Sequence, residues 1–445
     1  MKSSGNRQRI ALGLDLSTQS LSAAAIDIDG GLKIYENSLD FVKDPRLAGF
    51  GLSSDNYILP TEIDGEANQP VKMYLSALDA LFTDMAKTGF PLNNVVVINV
   101  SGQQHGHLYL NHQSKAAFAR LHETDSAKDN LPSLLGSSLA YDLAPIWMTS
   151  NTREQAAFMR DRVGGQARMI ELSGSDVPLR FSGVVMRRIS QTMPEVYQNT
   201  SIVQLISSFI PAVLTGNFGV PVDFGNACGM SLMNYYRKTW STALIDAASS
   251  ALPGGAKAFR KKLPDIVEPT AIVGTIATYF TLKYGFQSTC QISAGSGDNP
   301  QSKVLVTGDL LSLGSSIVYM TSTDGKTIDR SGLANAMYDG IGRPFIFSCR
   351  TNGALVWDHL RVSYGLKRDA YAEAERILSK AQPGLHLVFW QPRTESFPPS
   401  GSFAPVRIGE MSPALENDYS GLIETTLSAV YYHSRSFSKN TLKPL

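Results

Sequence analysis

Apolar residues fall along this chain in short runs divided by polar, glycine-rich stretches, and the period inside each run predicts its conformation. Residues 9–14 form a mostly apolar strand that ends in Asp15-Leu16-Ser17-Thr18-Gln19-Ser20. A second run at 21–28 follows at once, then Asp29-Gly30-Gly31, a hairpin turn of the kind Asp-Gly favours, and a third run from 32 to about 41. The N-terminus is therefore expected to be a three-stranded meander. Residues 43–70, rich in Gly, Pro, Asn and Asp, read as a surface excursion. Met73, Leu75, Leu78, Leu81, Phe82 and Met85 give 71–88 a helical period, and the Val- and Ile-rich run 94–100 reads as a buried strand.

Further along, 113–146 is polar and irregular, and helical spacing begins at about Ala144 and includes 152–162. Residues 186–193 and 201–214 are helical candidates, whereas 220–233 reads as extended. A crossing loop at 263–274 and a helix at 275–285 lead into a short strand at 290–294. After that strand comes Gly295-Ser296-Gly297-Asp298-Asn299-Pro300: two glycines for unusual dihedrals and close approach, then a proline suited to a helix start. A second meander is expected from a turn at Gly308-Asp309, a strand at 310–316 ending in small residues, and a strand at 317–321. Residues 421–439 are strongly periodic and read as a helix.

At 445 residues the chain predicts two or three domains. Hydrophobic content of 43% and charged content of 18% are those of a soluble globular protein. With 40 basic and 39 acidic residues, the net charge of +1 offers no footprint for nucleic acid or an acidic membrane. Cys228, Cys290 and Cys349 are widely spaced, without a CxxC pair, and read as buried small hydrophobes in a reducing compartment. The start of the chain leads into only a short apolar stretch broken by Asp15, so neither a signal peptide nor a membrane span is expected, and the cytoplasm is the default location.

The candidate chemistry lies where predicted strands end. Asp298 sits among residues with almost no side chain, and two readings stand side by side: a functional carboxylate, or a cap for the following helix. Asp15 and the hydroxyls of Ser17 and Thr18 share a turn that is either functional or a good turn sequence only. The strand at 94–100 delivers Ser101-Gly102-Gln103-Gln104-His105-Gly106-His107; a metal site on the two histidines lacks an obvious further ligand, and sugar hydroxyls are the more natural partners. Arg180 is the one buried-looking charge of the loop 174–182. Gly314, Ser315 and Ser316 repeat the chemistry of the first turn, and two such turns can hold a phosphate chain through backbone N–H groups and hydroxyls. Neither a P-loop nor a G-x-G-x-x-G fingerprint is present.

Asp15-Leu16-Ser17-Thr18-Gln19, Ser-Gly-Gln-Gln-His-Gly at 101–106, Gly-Asp-Asn-Pro at 297–300 and Ser-Leu-Gly-Ser-Ser at 312–316 occur in the order seen in the FGGY carbohydrate kinases, and the chain resembles the xylulokinase branch of that family. The resemblance runs over essentially the whole chain. It implies an α/β fold of two actin-like ATPase (ribonuclease H-like, hexokinase/actin superfamily) domains around a cleft, with 1–306 as the sugar-binding domain and 307–445 as the nucleotide-binding one. It implies ATP and Mg²⁺ as cofactors, a small sugar as substrate and transfer of phosphate to the C5 hydroxyl of D-xylulose; a homodimer is left open.

By the same resemblance Asp298 is the general base, Gln104, His105, Arg180, Asp298 and Asn299 hold the sugar, Asp15 holds Mg²⁺ through water, and Ser17, Thr18, Gln19, Gly314, Ser315 and Ser316 position phosphates. Thr149 and Val185 stand where the family usually has polar groups, which leaves another pentulose or a sugar acid open as substrate. A non-catalytic sugar-binding protein on this fold is expected to lose Asp298 or Asp15, and both are present. In the family an adenosine loop follows the helix at 421–439. Its absence from these residues leads us to expect an incomplete second domain with an open edge, and weak ATP binding.

Overall fold

The computed structural model describes residues 8–367, 370–409 and 412–438. The chain forms two units: Met1–Ser173, Val177–Leu305 and Met337–Arg343 make the first, and Gly174–Asp176, Val306–Ala336 and Pro344–Leu445 the second.

In the first unit, β1 (Ile10–Leu16), β2 (Ser20–Asp27) and β3 (Leu32–Asp40) form the expected antiparallel meander. Ile10, Leu12, Leu14 and Leu16 of β1 are buried, the two-residue alternation of a strand with one face on the core. The strand Val95–Gly102 lies parallel to β1, Gln291–Ser293 parallel to Val95–Gly102, and Ile272–Thr275 antiparallel at the edge. The helix α1 (Val71–Lys87) buries Met73, Leu75, Leu78, Leu81, Phe82 and Met85 and packs on β2 and β3. Its helical period was legible because one face alone is apolar.

Elsewhere the structure corrects the pattern. Residues 201–214 are not one helix: Thr200–Leu205 is a strand paired with His107–Asn111, and a helix begins at Ile206 and runs to Thr215. Both pieces are buried along almost their whole length, so neither shows a polar face that would reveal its period. The stretch 220–233, expected to be extended, contains the short helix Phe224–Ala227, capped by the Asp223 carboxylate on the Asn226 N–H, and a 3₁₀ turn at Cys228–Met230. The crossing loop gives up Ile266–Val267 and Ile272–Thr275 to strands, and the helix after it is Thr278–Tyr284. The polar stretch 113–146 holds the short helices Ser114–Ala119 and Leu131–Leu135, and Trp147 lies before the helix Arg153–Val163 rather than in it. Cys228 and Cys290 are buried as expected, but Cys349 is only half-buried; none of the three is in a disulfide.

Met337–Arg343 returns to the first unit and closes over the helix Asp298–Val304. The Gly340 N–H donates to the Pro300 carbonyl at 3.0 Å, and Arg343 Nη2 to the Val304 carbonyl at 2.7 Å. Asp339 holds that guanidinium in place at 2.6 Å, and Tyr338 stacks on Tyr235 with centroids 4.9 Å apart.

The second unit has an antiparallel sheet of Leu310–Leu313, Ile317–Ser322 and Pro344–Arg350, and a separate pair, His386–Gln391 with Phe403–Gly409. The helix Leu415–Ser434 packs on His386–Gln391 and on the helix Ala354–Ser363. It begins six residues before the expected start; Lys439 and the terminal residues lie outside the described residues. Phe403–Gly409 is exposed along its whole length, Val406 and Ile408 included. Among the described residues no helix is long and apolar enough to cross a membrane.

Candidate active site

Three strands of the first unit end in one row. The parallel register sets Asp15 beside Ser101, and the pair Ser296–Gly297 continues the sheet by lying parallel to Ser101–Gly102. Carboxyl ends of parallel strands are where open α/β sheets gather ligands. Gly295 is left-handed, with φ of +74°. Gly297 has no room for a side chain: a Cβ there would fall on the Gln104 side chain and 3.0 Å from Asn226 Oδ1. Both glycines are thus required where the sequence carries them.

Asp298 is the first residue of the helix Asp298–Val304, whose N-cap is Gly297, so the N-cap reading of Asp298 does not hold. Its Oδ1 accepts the backbone N–H of Asn299 at 2.9 Å, that of Gln104 at 3.2 Å and the Asn299 amide at 3.2 Å. The Asn299 amide also donates to Gln104 Oε1 at 3.0 Å. Every one of these bonds falls on Oδ1. Oδ2 carries none among the described residues. Asp298 keeps part of its surface open, yet desolvation pushes its pKa up to about 6; the Asn299 N–H opposes that rise and the negative charge of Asp15 adds to it.

Asp15 is half-buried, and burial raises its pKa against a hydrogen bond from Ser101. Its Oδ1 is shielded from solvent and has no hydrogen-bond partner among the described residues. Among the described residues no group of three or more His, Cys, Asp or Glu can enclose a metal. One orphaned carboxylate oxygen suits a magnesium ion held mainly by water and phosphate.

The turn after Asp15 is laced to its surroundings. Ser17 Oγ donates to the Ser20 carbonyl at 3.1 Å, Thr18 Oγ1 donates to Gln103 Oε1 at 3.1 Å, and Thr18 Oγ1 accepts the Trp147 indole N–H at 2.8 Å. Gln69 Nε2 donates to the Thr18 carbonyl at 2.8 Å, and Gln103 Nε2 to Gln69 Oε1 at 2.9 Å. Gln19 is exposed.

Gln104 and His105 are buried. His105 adopts a φ of +67°, uncommon for a residue with a Cβ. Its ring stacks on Phe181 with centroids 4.4 Å apart, and its backbone carbonyl accepts the Ser182 hydroxyl at 2.8 Å. His105 Nδ1 lies 3.1 Å from the Gly229 carbonyl. A carbonyl only accepts, so Nδ1 carries the hydrogen and Nε2 is the acceptor. Burial, and then the charge of Arg180, lower the His105 pKa to about 3, so the ring is neutral. Arg180 is half-buried, in the turn before the helix Ser182–Thr192. Both nitrogens of His107 are engaged within the fold, by the His105 carbonyl at 3.0 Å and the Tyr109 hydroxyl at 2.9 Å. Thr149 turns its hydroxyl to the Ala67 carbonyl at 3.0 Å, and Val185 is buried.

The structure thus gathers Asp15, Ser17, Thr18, Gln19, Gln104, His105, Arg180, Asp298 and Asn299 in the first unit and Gly314, Ser315 and Ser316 in the second. The second-unit turn joins Leu310–Leu313 to Ile317–Ser322; the Gly314 carbonyl accepts the Ala354 N–H at 3.0 Å. Ser315 is exposed. Sequence reasoning did not single out Gln103, Trp147 or Gly229, whose partners lie far along the chain.

Residues 142–304 match the FGGY family of carbohydrate kinases, N-terminal domain. They are an FGGY N-terminal domain. The chain is 34% identical over 318 residues to a xylulose kinase of Saccharomyces cerevisiae, covering 70% of this chain and 51% of that one. It is 29% identical over 384 residues to a probable D-xylulose kinase A of Aspergillus flavus, covering 84% and 65%. It therefore spans about half to two thirds of the length of these curated relatives. The crystal structure of a ligand-bound xylulose kinase from Lactobacillus acidophilus superposes with a TM-score of 0.76 at 18% identity, over 98% of this chain and 80% of that one. The fold is that of the FGGY sugar kinases, of the actin-like ATPase class.

Proposed function

We propose that the protein is an ATP-dependent carbohydrate kinase that phosphorylates D-xylulose at its C5 hydroxyl, giving D-xylulose 5-phosphate. The observation that carries this reading is Asp298, a carboxylate whose Oδ1 is fixed by three N–H groups while Oδ2 is left for a substrate. The similarity to xylulose kinases supports the choice of sugar. The first unit, Met337–Arg343 included, binds the sugar, the second binds the nucleotide, and the cytoplasm, where ATP is held, is the proposed location.

In turnover the C5 hydroxyl lies against Asp298 Oδ2. Its oxygen attacks the γ-phosphorus of ATP, its proton passes to Oδ2, and the bond to the β,γ-bridging oxygen breaks with ADP as leaving group. A pKa of about 6 keeps Asp298 ionised at neutral pH yet more basic than an exposed aspartate. Gln104 and Arg180 present donors to the sugar oxygens, and Asn299 Oδ1, whose amide hydrogens are taken by Gln104 and Asp298, and neutral His105 Nε2 present acceptors for sugar hydroxyls. Asp15 is the residue that would hold Mg²⁺ through water, and the ion when bound supplies charge neutralisation on the phosphates. The turn 17–19 of the first unit and the turn 314–316 of the second each offer polar groups to phosphate, so the protein's part is mainly alignment.

The test is ADP release with ATP and a panel of pentuloses, hexuloses and sugar acids, with the product read by NMR. D-xylulose is expected to give the highest kcat/KM and a C5 phosphate. Preference for a sugar acid overturns the sugar, and absence of turnover with every sugar overturns the kinase.

A further inference from the structure

Behind the Asp298 turn lies a second aspartate that the reaction above does not use. Asp223 has no exposed surface. Its Oδ2 accepts the Asn226 N–H at 3.1 Å, capping the short helix Phe224–Ala227, and the same oxygen accepts the Ser296 hydroxyl at 2.8 Å. Ser296 is equally buried and stands two residues before Asp298, in the pair that extends the sheet beside Ser101–Gly102. Between Gly295 and Gly297 it is the one residue with a side chain that can anchor the turn. Asn226 closes the same corner: its amide reaches the Ser207 hydroxyl, and its Oδ1 lies against Gly297.

A cap alone does not account for this carboxyl. The helix it opens has four residues, and Ser or Asn would cap it without an ionisable group in a dry interior. Asp223 Oδ1 and Asn226 Oδ1 have no partner among the described residues, an arrangement that a purely structural corner avoids. Burial also raises the Asp223 pKa to about 7, so a neutral side chain with one accepting oxygen meets the same geometry.

We propose that Asp223 is a positioning residue for the Asp298 base, acting through the Ser296 hydroxyl to fix the turn 295–297 so that Asp298 Oδ2 faces the sugar hydroxyl. This rests on the kinase reading given above. A turn with glycine on both sides of its anchor has little else to fix its dihedrals, and a displacement of about 1 Å at a reacting group costs on the order of 10²-fold in rate.

The test is steady-state kinetics with ATP and D-xylulose on the full chain, with melting temperatures of each variant. Ser296→Ala and Asp223→Ala are expected to lower kcat by about 10- to 100-fold while KM for D-xylulose stays within about threefold. The double variant falls no more than about twofold below the lower single, because both break one link. Asp223→Asn keeps the acceptor and recovers kcat to within about threefold of the parent. Where Asp223→Ala does not fold, the milder Ser296→Ala decides the matter. A normal kcat in Ser296→Ala with only a lowered melting temperature, additive losses in the double variant, or Asp223→Asn as slow as Asp223→Ala each overturns the proposal and leaves the kinase reading standing. A parent protein that turns over no sugar overturns both.

Discussion

The two hydroxyl-rich turns, 17–19 in the first unit and 314–316 in the second, are alike in sequence and unlike in how they are held. The first is woven into its unit by side chains: Trp147 and Gln103 share the Thr18 hydroxyl, and Gln69 takes the Thr18 carbonyl. The second takes its shape from backbone contact. A Cβ on Gly353 would lie 2.7 Å from the Ser316 carbonyl carbon and 2.8 Å from the Ile317 nitrogen, so glycine alone lets the two segments meet. Glu395 fixes Gly353's own neighbours, accepting the N–H of Thr351 at 2.6 Å and of Asn352 at 3.0 Å. The first turn therefore has its hydroxyls committed and offers a ligand mainly its backbone, whereas the second leaves the Ser315 hydroxyl to solvent and to whatever binds there.

The largest effect separates chemistry from binding. Asp298→Asn is expected to lower kcat by about 10²–10⁴ while D-xylulose still raises the melting temperature without ATP, because the proposed sugar ligands Gln104, His105 and Arg180 are untouched. Near-normal turnover in that variant removes Asp298 from the mechanism. Next in size, Gly353→Ala forces the backbone of the second turn aside at about 1–3 kcal/mol, and KM for ATP should rise about tenfold or more with the sugar-induced shift in melting temperature intact. Loss of that shift as well would mean that the second turn is not the independently held element described here.

Acidification gives an effect of similar order. With the base at about 6, log(kcat/KM) for D-xylulose should be flat near pH 8 and fall with unit slope below pH 6, and Asp298→Asn should abolish that limb. Stability moves in two directions. Asp298 and Asp223 titrate higher in the fold than in the unfolded chain, at about 6 and about 7, so their contribution is fully present below about pH 4 and is lost as pH rises through 6 and 7. His105 and His107, lowered to about 3 and about 4 by burial, act oppositely: their neutral burial favours the fold above about pH 6.5 and is lost as pH falls. Differential scanning of the parent against Asp223→Asn isolates one arm, and the parent's relative stability should increase from pH 8 to pH 6. An unchanged difference over that range would contradict the burial of Asp223.

The smallest effects test the two turns against each other. Thr18→Ala should lower stability by about 1 kcal/mol, since it leaves Gln103 and Trp147 short of a partner. Ser315→Ala should leave the melting temperature unchanged and raise KM for ATP about threefold, the size of one lost hydrogen bond. The reverse pattern would exchange the roles assigned to the turns.

Much of the site was legible because its signals are local. Gly-Ser-Gly-Asp-Asn-Pro announces a left-handed turn and a helix start by the conformational limits of its own residues, and Asp15 ends a run of clear alternation. Asp223 was not legible as a neighbour of Asp298, because its bond to Ser296 spans 73 positions. Trp147 and Thr18 meet across 129 positions. The failed helix at 201–214 has a different cause: a strand and a helix that are both buried on every side look alike, and only a solvent face writes a period into a sequence.

Met337–Arg343 has a consequence for how the protein is made. At a synthesis rate of about 5–20 residues per second, roughly 2–8 s pass between the emergence of Leu305 and that of Arg343. Through that interval the Pro300 and Val304 carbonyls lack the donors that Gly340 and Arg343 bring to them in the finished fold. The last stitch of the first unit is thus cast only after two strands of the other unit's first sheet, Leu310–Leu313 and Ile317–Ser322, have already left the ribosome.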